Sequence, residues 1–143
     1  MISQRVTVDI VDNIAHVTLN RAEKLNALDM PMFLAIDKTM KMLRKNRAIR
    51  AVIVSGNGDD FCSGLDVKSI MKSPMSMIKL LFKTLPWRAN LAQRVSTSWR
   101  DIPAPVICAI HGRCWGGGLQ IALGADFRFA TPDASLSIME GKW

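Results

Sequence analysis

Three consecutive glycines are the first residues in this sequence whose type and spacing suggest chemistry. Gly116, Gly117 and Gly118 lie in the stretch HGRCWGGGLQIALG, where an apolar strand pattern changes into a helix pattern. Glycine lowers helix propensity and loses more backbone entropy on folding, so a compensating role is expected. Close packing, an unusual turn, or backbone N–H groups left open to a ligand would each compensate. Open N–H groups at the positive end of a helix suit an oxyanion that develops on a carbonyl.

A second glycine-rich turn, GNGDDFCSGLDV, follows the earlier apolar stretch AVIVSG. Glycine-rich turns of this kind can bind phosphate, but neither turn matches a specific phosphate-binding motif. GxxxxGK[ST] is absent, and HGRCWGGG does not match GxGxxG. A glycine triplet by itself favours the ordinary explanation of close packing. Two such turns after two buried strands are stronger evidence for a site than either turn alone.

The apolar pattern predicts the elements that position these turns. Two strands, Arg5 to Val11 and Ile14 to Leu19, flank the pair Asp-Asn in a predicted hairpin. A helix is predicted to begin near Asp29, a good N-cap, with Pro31 in its first turn. AVIVSG is the next strand. The order strand, helix, strand indicates a right-handed crossover in an α/β layer.

The second half of the chain continues this alternation. The stretch from Ser69 to Arg100 is predicted to be helix broken at Pro74 and Pro86, and PAPVICAI to be another buried strand. The helix LQIALG is predicted to close with Gly124 as its C-cap, and DFRFA and SLSIM are two further strand candidates. No apolar run approaches the roughly 18 residues needed to span a bilayer. Residues 1–143 are interpreted as one domain.

The positive charge is concentrated in one region. The net charge is +7, and the stretch from Val67 to Arg100 holds seven Lys or Arg residues and no acidic residue. Such a stretch either forms a solvated face or attracts a polyanion, such as a phosphorylated cofactor, nucleic acid or an anionic membrane. A basic RNA-binding module is thus an alternative, but the stretch lacks an aromatic-interleaved stacking platform, so nucleic acid is not the expected partner.

The cysteines indicate a reducing compartment. Cys62, Cys108 and Cys114 are odd in number and show no CxxC spacing. This favours free thiols and a cytoplasmic location over a disulfide framework. We expect no metal site.

Three motifs in order, LNRAEKLNAL, FCSGLDV and HGRCWGGGLQIALGADFRFA, closely resemble the enoyl-CoA hydratase/isomerase (crotonase) family. The resemblance implies an α/β fold built as a spiral of ββα units and an enzyme, lyase or isomerase, that acts on acyl-CoA thioesters. Coenzyme A would enter as part of the substrate, with no tightly bound cofactor. Two backbone N–H groups of such enzymes stabilise the thioester enolate. By resemblance they are those of Leu65 and Gly117, both expected to be catalytic.

The resemblance also implies which residues face the CoA moiety. They are expected in two loops and at the glycine triplet: Lys24, Asn26, Ala27, Leu65, Asp66, Val67, Lys68 and Gly117. Two alternatives stay open. Lys24 and Lys68 are equally explained as surface lysines, and Asp66 as an acid that accepts backbone N–H bonds and shapes its loop.

The acid–base residues are where this chain departs from the family pattern. Hydratases of this family carry one glutamate three residues after the middle glycine and a second one further along. Here the first position is Gln120 and the second matches Glu140. An amide cannot usefully accept a proton near neutral pH, so hydration by two carboxylates is in doubt. The pattern favours isomerisation, or another enolate reaction that needs only the carboxylate of Glu140. The alternative for Glu140 is that it is an exposed glutamate in a terminal turn without a catalytic role.

The length gives a last expectation. The chain stops at Trp143, soon after Glu140, whereas members of the family continue for about as much sequence again. The resemblance therefore predicts an N-terminal core truncated before a C-terminal helical region, from a protein that forms a homotrimer or a dimer of trimers when full length. A non-catalytic remnant that still binds acyl-CoA is a further alternative.

Overall fold

A five-stranded sheet with helices between its strands forms the framework. The structure is a computed structural model that describes residues 4–83 and 88–139. Its strands are β1 (Val6–Val11), β2 (Ile14–Leu19), β3 (Ala51–Gly56), β4 (Val106–Ile110), β5 (Arg113–Trp115), β6 (Phe127–Ala130) and β7 (Ser135–Ser137). Its helices are α1 (Met30–Lys45), α2 (Val67–Met71), α3 (Pro74–Leu81), α4 (Leu91–Thr97) and α5 (Gly117–Gly124).

The predicted hairpin opens the sheet. β1 and β2 pair antiparallel, from Val6 opposite Leu19 to Val11 opposite Ile14. Asp12 and Asn13 have φ of 50° and 63°, as expected for a two-residue turn that matches the twist of the flanking strands. The hairpin is confirmed.

Crossovers then build the rest of the sheet, whose order is β1-β2-β3-β4-β6. β2 with β3, β3 with β4, and β4 with β6 are all parallel. Parallel neighbours require a long connection, and α1 supplies the first one, which confirms the predicted strand–helix–strand unit. Between β4 and α5 the chain adds a short strand that was not predicted, β5, which pairs with β7 in a separate two-stranded sheet.

The first helix matches the sequence prediction closely. Asp29 is its N-cap and accepts a 2.9 Å hydrogen bond from Met32 N, and Pro31 lies in the first turn. The buried apolar face of the helix includes Phe33, Ile36, Met40 and Leu43.

The stretch from Ser69 to Arg100 is more divided than predicted. α2 already begins at Val67, where Asp66 caps it by accepting from Ser69 N at 3.0 Å. Pro74 starts α3, as its missing N–H allows, and a capping box of Asn90 and Gln93 starts α4. Pro86, the other predicted break, lies outside the described residues.

The core lies between the sheet and the helices, and α4 contacts both α1 and α5. Its largest fully buried side chains include Trp99, whose indole N–H donates to Val95 O at 2.8 Å. Over residues 4–83 and 88–139, no helix combines the length and apolarity that a bilayer crossing would need.

Candidate functional site

The two glycine-rich turns lie against each other. A Cβ atom on Gly117 would be 3.9 Å from Leu65 N, and one on Gly64 would be 3.4 Å from Gly117 N. The two amides predicted as donors therefore lie in one small region. Among the hydrogen bonds between described residues, none is donated by Leu65 N or Gly117 N.

A two-bond bridge to Leu28 orients the first turn. Leu28 N donates to Gly64 O at 2.7 Å, and Asp66 N donates to Leu28 O at 3.0 Å. In a parallel bridge of this kind the bonds use the neighbours of the central residue, so the N–H of Leu65 itself faces away from Leu28. Gly64 has φ of +96°, which a residue with a side chain rarely adopts.

The three glycines of the second turn have three different roles. Gly116 has φ of 48° and ψ of −117°, a turn conformation that favours glycine. Gly117 is the first residue of α5, where backbone N–H groups have no acceptor within the helix. Gly118 packs tightly, since a Cβ on it would be 2.7 Å from Cys62 Cβ and 3.0 Å from Cys62 Sγ. Close packing against backbone thus explains Gly118 alone, since the nearest atom to a Cβ on Gly117 would be the end of a side chain, Leu28 Cδ1 at 2.8 Å.

Gly124 has a packing role that corrects the sequence prediction. It was expected to be the C-cap of the helix, but α5 includes Gly124 and Ala125 is the cap. A Cβ on Gly124 would overlap Ser96 O and lie 3.2 Å from Trp99 Cδ1. The glycine is needed because α4 passes close to α5, not because the chain turns there.

A buried arginine ties the first turn to its surroundings. Arg21 Nη1 donates to Ala27 O and to Asp66 Oδ2, both at 2.9 Å. Its Nε lies 3.4 Å from Asp29 Oδ2, and the side chain is 9% exposed. Arg5 also holds Asp29, through bonds of 3.2 Å and 2.9 Å. Because the carboxylate partners of Arg21 are distant in the chain, no local sequence pattern indicated them, and Arg21 was not predicted as a site residue.

Asp66 is a carboxylate that the surroundings keep charged. Desolvation is the largest single influence and raises its pKa, but the bond from Ser69 N, the bond from Arg21 and the charges of Arg21 and Lys24 oppose it. Together they hold the pKa of Asp66 below its usual value. The geometry therefore supports the interpretation that Asp66 shapes its loop. Asp66 also lines the cleft described below.

Asn26 stabilises its own loop. Its side chain is fully buried and accepts from Arg21 N at 2.8 Å, while its amide nitrogen donates to Asn57 O and Asp60 O at 2.9 Å and 2.7 Å. The predicted CoA-facing role of Asn26 would thus have to be indirect, because these internal bonds occupy both ends of the amide group.

An open cleft of about 490 Å³ lies beside the first turn. It brings together six residues predicted to face CoA: Lys24, Ala27, Leu65, Asp66, Val67 and Lys68. Arg21, Ser69 and Lys72 also line it and were not predicted. Lys72 follows Lys68 by one helical turn, and it would have been found had α2 been predicted to begin at Val67. Asn26 and Gly117 are not among the described residues that line it.

Of the two predicted acid–base residues, the structure describes only one. Gln120 is exposed on α5, one turn after Gly117, so both lie on the same side of the helix. Glu140 lies outside the described residues.

The thiols near the two turns are not nucleophiles. Cys62 and Cys114 are fully buried and free, and burial raises the pKa of each thiol to about 12. Such thiols remain protonated at neutral pH and act as small apolar groups. No group of three or more His, Cys, Asp or Glu side chains in the described part of the chain could hold a metal ion.

A larger cleft of about 710 Å³ borders α1 and α4 and shares no lining residue with the first. Asp37 lies in it, paired with Arg94 at 2.8 Å and Lys41 at 2.6 Å. This cleft lies apart from the two turns, and none of the residues predicted to face CoA lines it.

Comparison with known proteins points to one family. A family model described as enoyl-CoA hydratase/isomerase matches residues 14–142. The chain is 32% identical, over 90% of its length, to the peroxisomal Delta(3,5)-Delta(2,4)-dienoyl-CoA isomerase of Arabidopsis thaliana, of which it covers 48%. It is 33% identical, over 96% of its length, to (E)-benzylidenesuccinyl-CoA hydratase of Thauera aromatica, of which it covers 51%.

Solved structures agree on the fold. The crystal structure of enoyl-CoA hydratase from Thermoplasma volcanium matches with a TM-score of 0.81 and 25% identity, covering 98% of this chain and 54% of that one. The predicted crotonase-like α/β fold is confirmed. The chain spans about half the length of the curated relatives it matches.

Proposed function

The chain belongs to the enoyl-CoA hydratase/isomerase family, and from that premise we propose that it binds an acyl-CoA thioester and stabilises the thioester enolate. The N–H groups of Leu65 and Gly117 would both donate to the thioester oxygen as negative charge develops there. Each such donor is typically worth about 2.7–4 kcal/mol in the transition state.

One observation carries this proposal: two amides from separate turns lie side by side without an acceptor among the described residues. The Gly117 position supports it further, because a Cβ there would be 3.9 Å from Leu65 N and would take space beside both donors. The bridge to Leu28 and the helix start fix the two amides before any ligand arrives. Donors fixed in advance need no reorganisation during the reaction.

The basic cleft supports CoA as the carrier of the acyl group. Lys24, Lys68 and Lys72 line it, while the acidic residue Asp66 is already paired with Arg21. The cleft therefore keeps excess positive charge beside Leu65, one of the proposed donors. The pyrophosphate and 3′-phosphate of CoA would be attracted to that charge.

Proton transfer is proposed to depend on one carboxylate. Glu140 would take a proton from the α or γ carbon of an enoyl thioester, the two amides would hold the enolate oxygen, and the proton would return at the other carbon. The double bond moves and no water is added. Gln120 could bind a water molecule by hydrogen bonds but could not accept its proton, which disfavours hydration.

The names of the relatives include both a hydratase and an isomerase, so similarity alone does not select the reaction. The remaining parts of the proposal follow the family resemblance and the free cysteines. They are a single acyl-CoA-binding unit over residues 1–143, assembly as a homotrimer or dimer of trimers when full length, and a cytoplasmic location.

The test is an assay of the chain, and of any longer natural polypeptide that contains it, on 2-enoyl-CoA and 3-enoyl-CoA. We expect isomerisation of the 3-enoyl thioester, slow hydration of the 2-enoyl thioester, and loss of turnover in Glu140→Gln. Fast hydration would refute the inference from Gln120, and an unchanged Glu140→Gln variant would remove Glu140 from the mechanism. Saturable thioester binding without any turnover would instead favour the non-catalytic remnant.

A further inference from the structure

We infer that Arg21 is a positioning residue, which holds the Leu65 N–H in the direction needed to polarise the thioester carbonyl. This inference rests on the proposed function. The guanidinium donates to two groups near the donor: the backbone oxygen of Ala27 and the side-chain carboxylate of Asp66, both at 2.9 Å.

Both residues adjoin the pair Leu28 and Leu65 of the bridge that orients the first turn. Asp66 follows Leu65 directly, and its own N–H donates to Leu28 O. Ala27 directly precedes Leu28. Arg21 therefore links the two segments that the bridge joins, and without its contacts only the two bonds to Leu28 would hold the peptide that carries the Leu65 N–H.

The electrostatics argue for positioning more than for stability. The side chain of Arg21 is 9% exposed. Among the buried side-chain nitrogen and oxygen atoms of residues 4–83 and 88–139, its Nε alone lacks a hydrogen-bond partner. A buried guanidinium with an incomplete set of bonds is a weak source of net stability, because desolvation offsets much of the attraction. Its fixed planar fork does, however, hold several acceptors in one geometry.

The competing explanation is that Arg21, which lines the cleft, binds a phosphate of CoA directly. The charge distribution disfavours this, because Asp29 and Asp66 both lie within 3.4 Å of the guanidinium and already neutralise it. Lys24, Lys68 and Lys72 are the cations of the cleft available for phosphate. The two explanations predict different kinetic effects.

The experiment measures how strongly the bound carbonyl is polarised. The probe is 2-butenoyl-CoA labelled with ¹³C at its thioester carbonyl, and the readout is the infrared shift of that carbonyl on binding, measured with Kd, KM and kcat. The variants are Arg21→Lys, which keeps the charge but not the fork, and Asp66→Asn, which removes the acceptor. Lys24→Met, a cation of the same cleft outside these two bonds, is the matched control.

We expect Arg21→Lys to fold and to bind the probe with little change in Kd, but to lose most of the carbonyl shift and up to about 100-fold in kcat. Asp66→Asn should show the same pattern to a smaller degree. Lys24→Met should weaken binding and keep the carbonyl shift. A merely structural role for Arg21 would lower the unfolding temperature without changing the shift of the bound carbonyl.

The outcomes distinguish a failure of the proposed function from a failure of the positioning role of Arg21. If the wild-type protein binds the probe without a carbonyl shift, or does not bind it, the proposed function fails, and this inference fails with it. If the wild-type protein shows the shift and Arg21→Lys retains it, only the positioning role is overturned. A large rise in Kd or KM with an unchanged kcat and shift would assign Arg21 to phosphate binding instead.

Discussion

The two turns that present the proposed donors are held by opposite means. The Gly64–Leu65 turn is fixed by polar contacts, through the Arg21–Asp66 ion pair and the backbone bridge to Leu28. The Gly116–Gly117 turn is fixed by the absence of side chains, since Gly118 must pack directly on Cys62. In each turn one N–H group has no acceptor among the described residues. The first turn should therefore be sensitive to changes of charge and pH, and the second to added volume.

The largest expected effect is that of volume added behind the second turn. In Gly118→Ala the new Cβ would overlap Cys62 O and lie 2.7 Å from Cys62 Cβ. Because Cys62 O accepts from Trp115 N at 2.9 Å, the clash falls on backbone that is already paired. We expect a loss of at least about 3 kcal/mol in the free energy of unfolding, measured by urea titration. Leu123→Ala, on the same helix at a position 50% exposed, should lose far less. Equal losses in the two variants would show that the turn is not tightly packed.

A methyl group added one residue earlier should act on chemistry more than on stability. In Gly117→Ala the closest atom is Leu28 Cδ1 at 2.8 Å, the end of a side chain, which can shift at lower cost than the backbone oxygen that Gly118→Ala would meet. The same Cβ would take space beside Leu65 N, where the thioester oxygen is proposed to bind. We expect kcat to fall about 100- to 1,000-fold, with a much smaller change in unfolding free energy than in Gly118→Ala. Turnover near the wild-type rate would contradict the assignment of these two amides as donors.

The contrast between the turns also explains what the sequence could predict. Local patterns were sufficient for the hairpin around Asp12 and Asn13 and for α1 with its Asp29 cap, because neighbouring residues alone determine them. The family motifs predicted both donor positions, and that assignment stays a prediction. The separate roles of Gly116, Gly117 and Gly118 needed the structure, since they depend on Cys62 and on other residues distant in the chain.

The features that the sequence did not predict share the same cause. Arg21 contacts Asp66, 45 positions later, and nothing near Arg21 in the sequence marks that partner. β5 was missed because it pairs with β7, which begins 20 residues after Trp115. The packing role of Gly124 depends on Ser96 in the preceding helix. Periodicity and capping rules describe contacts within a few residues, so contacts between distant segments escape them.

The first turn should show its sensitivity to charge as a pH dependence. The pKa of Asp66 is lowered in the folded protein, so its charged form adds stability that is complete above the usual carboxyl pKa and is lost as the pH falls through the lowered value. Asp66→Asn should lower the free energy of unfolding by about 1.5 kcal/mol at pH 7. The difference from wild type should be smaller at an acid pH below that lowered pKa, where both forms lack the charge.

Urea titrations at both pH values check this expectation, with Asp9→Asn, an exposed carboxyl on β1, as the control. The control should change stability little at either pH. A difference for Asp66→Asn that stays constant between the two pH values would mean that shape, and not charge, makes Asp66 important. The first turn would then resemble the second, and the comparison between them would fail.

The smallest expected effect concerns the charge around the first turn. Lys68 lines the cleft beside Leu65, whereas Lys45 is an exposed lysine at the far end of α1. If CoA phosphates bind the cleft, Lys68→Ala should weaken CoA binding about two- to fivefold at low salt, an effect typical of one exposed charge. The loss should fade as ionic strength rises, because screening removes the attraction in both proteins. Calorimetric titration of CoA at two salt concentrations measures it. The same loss in Lys45→Ala would show that net charge, and not the cleft beside Leu65, attracts the ligand.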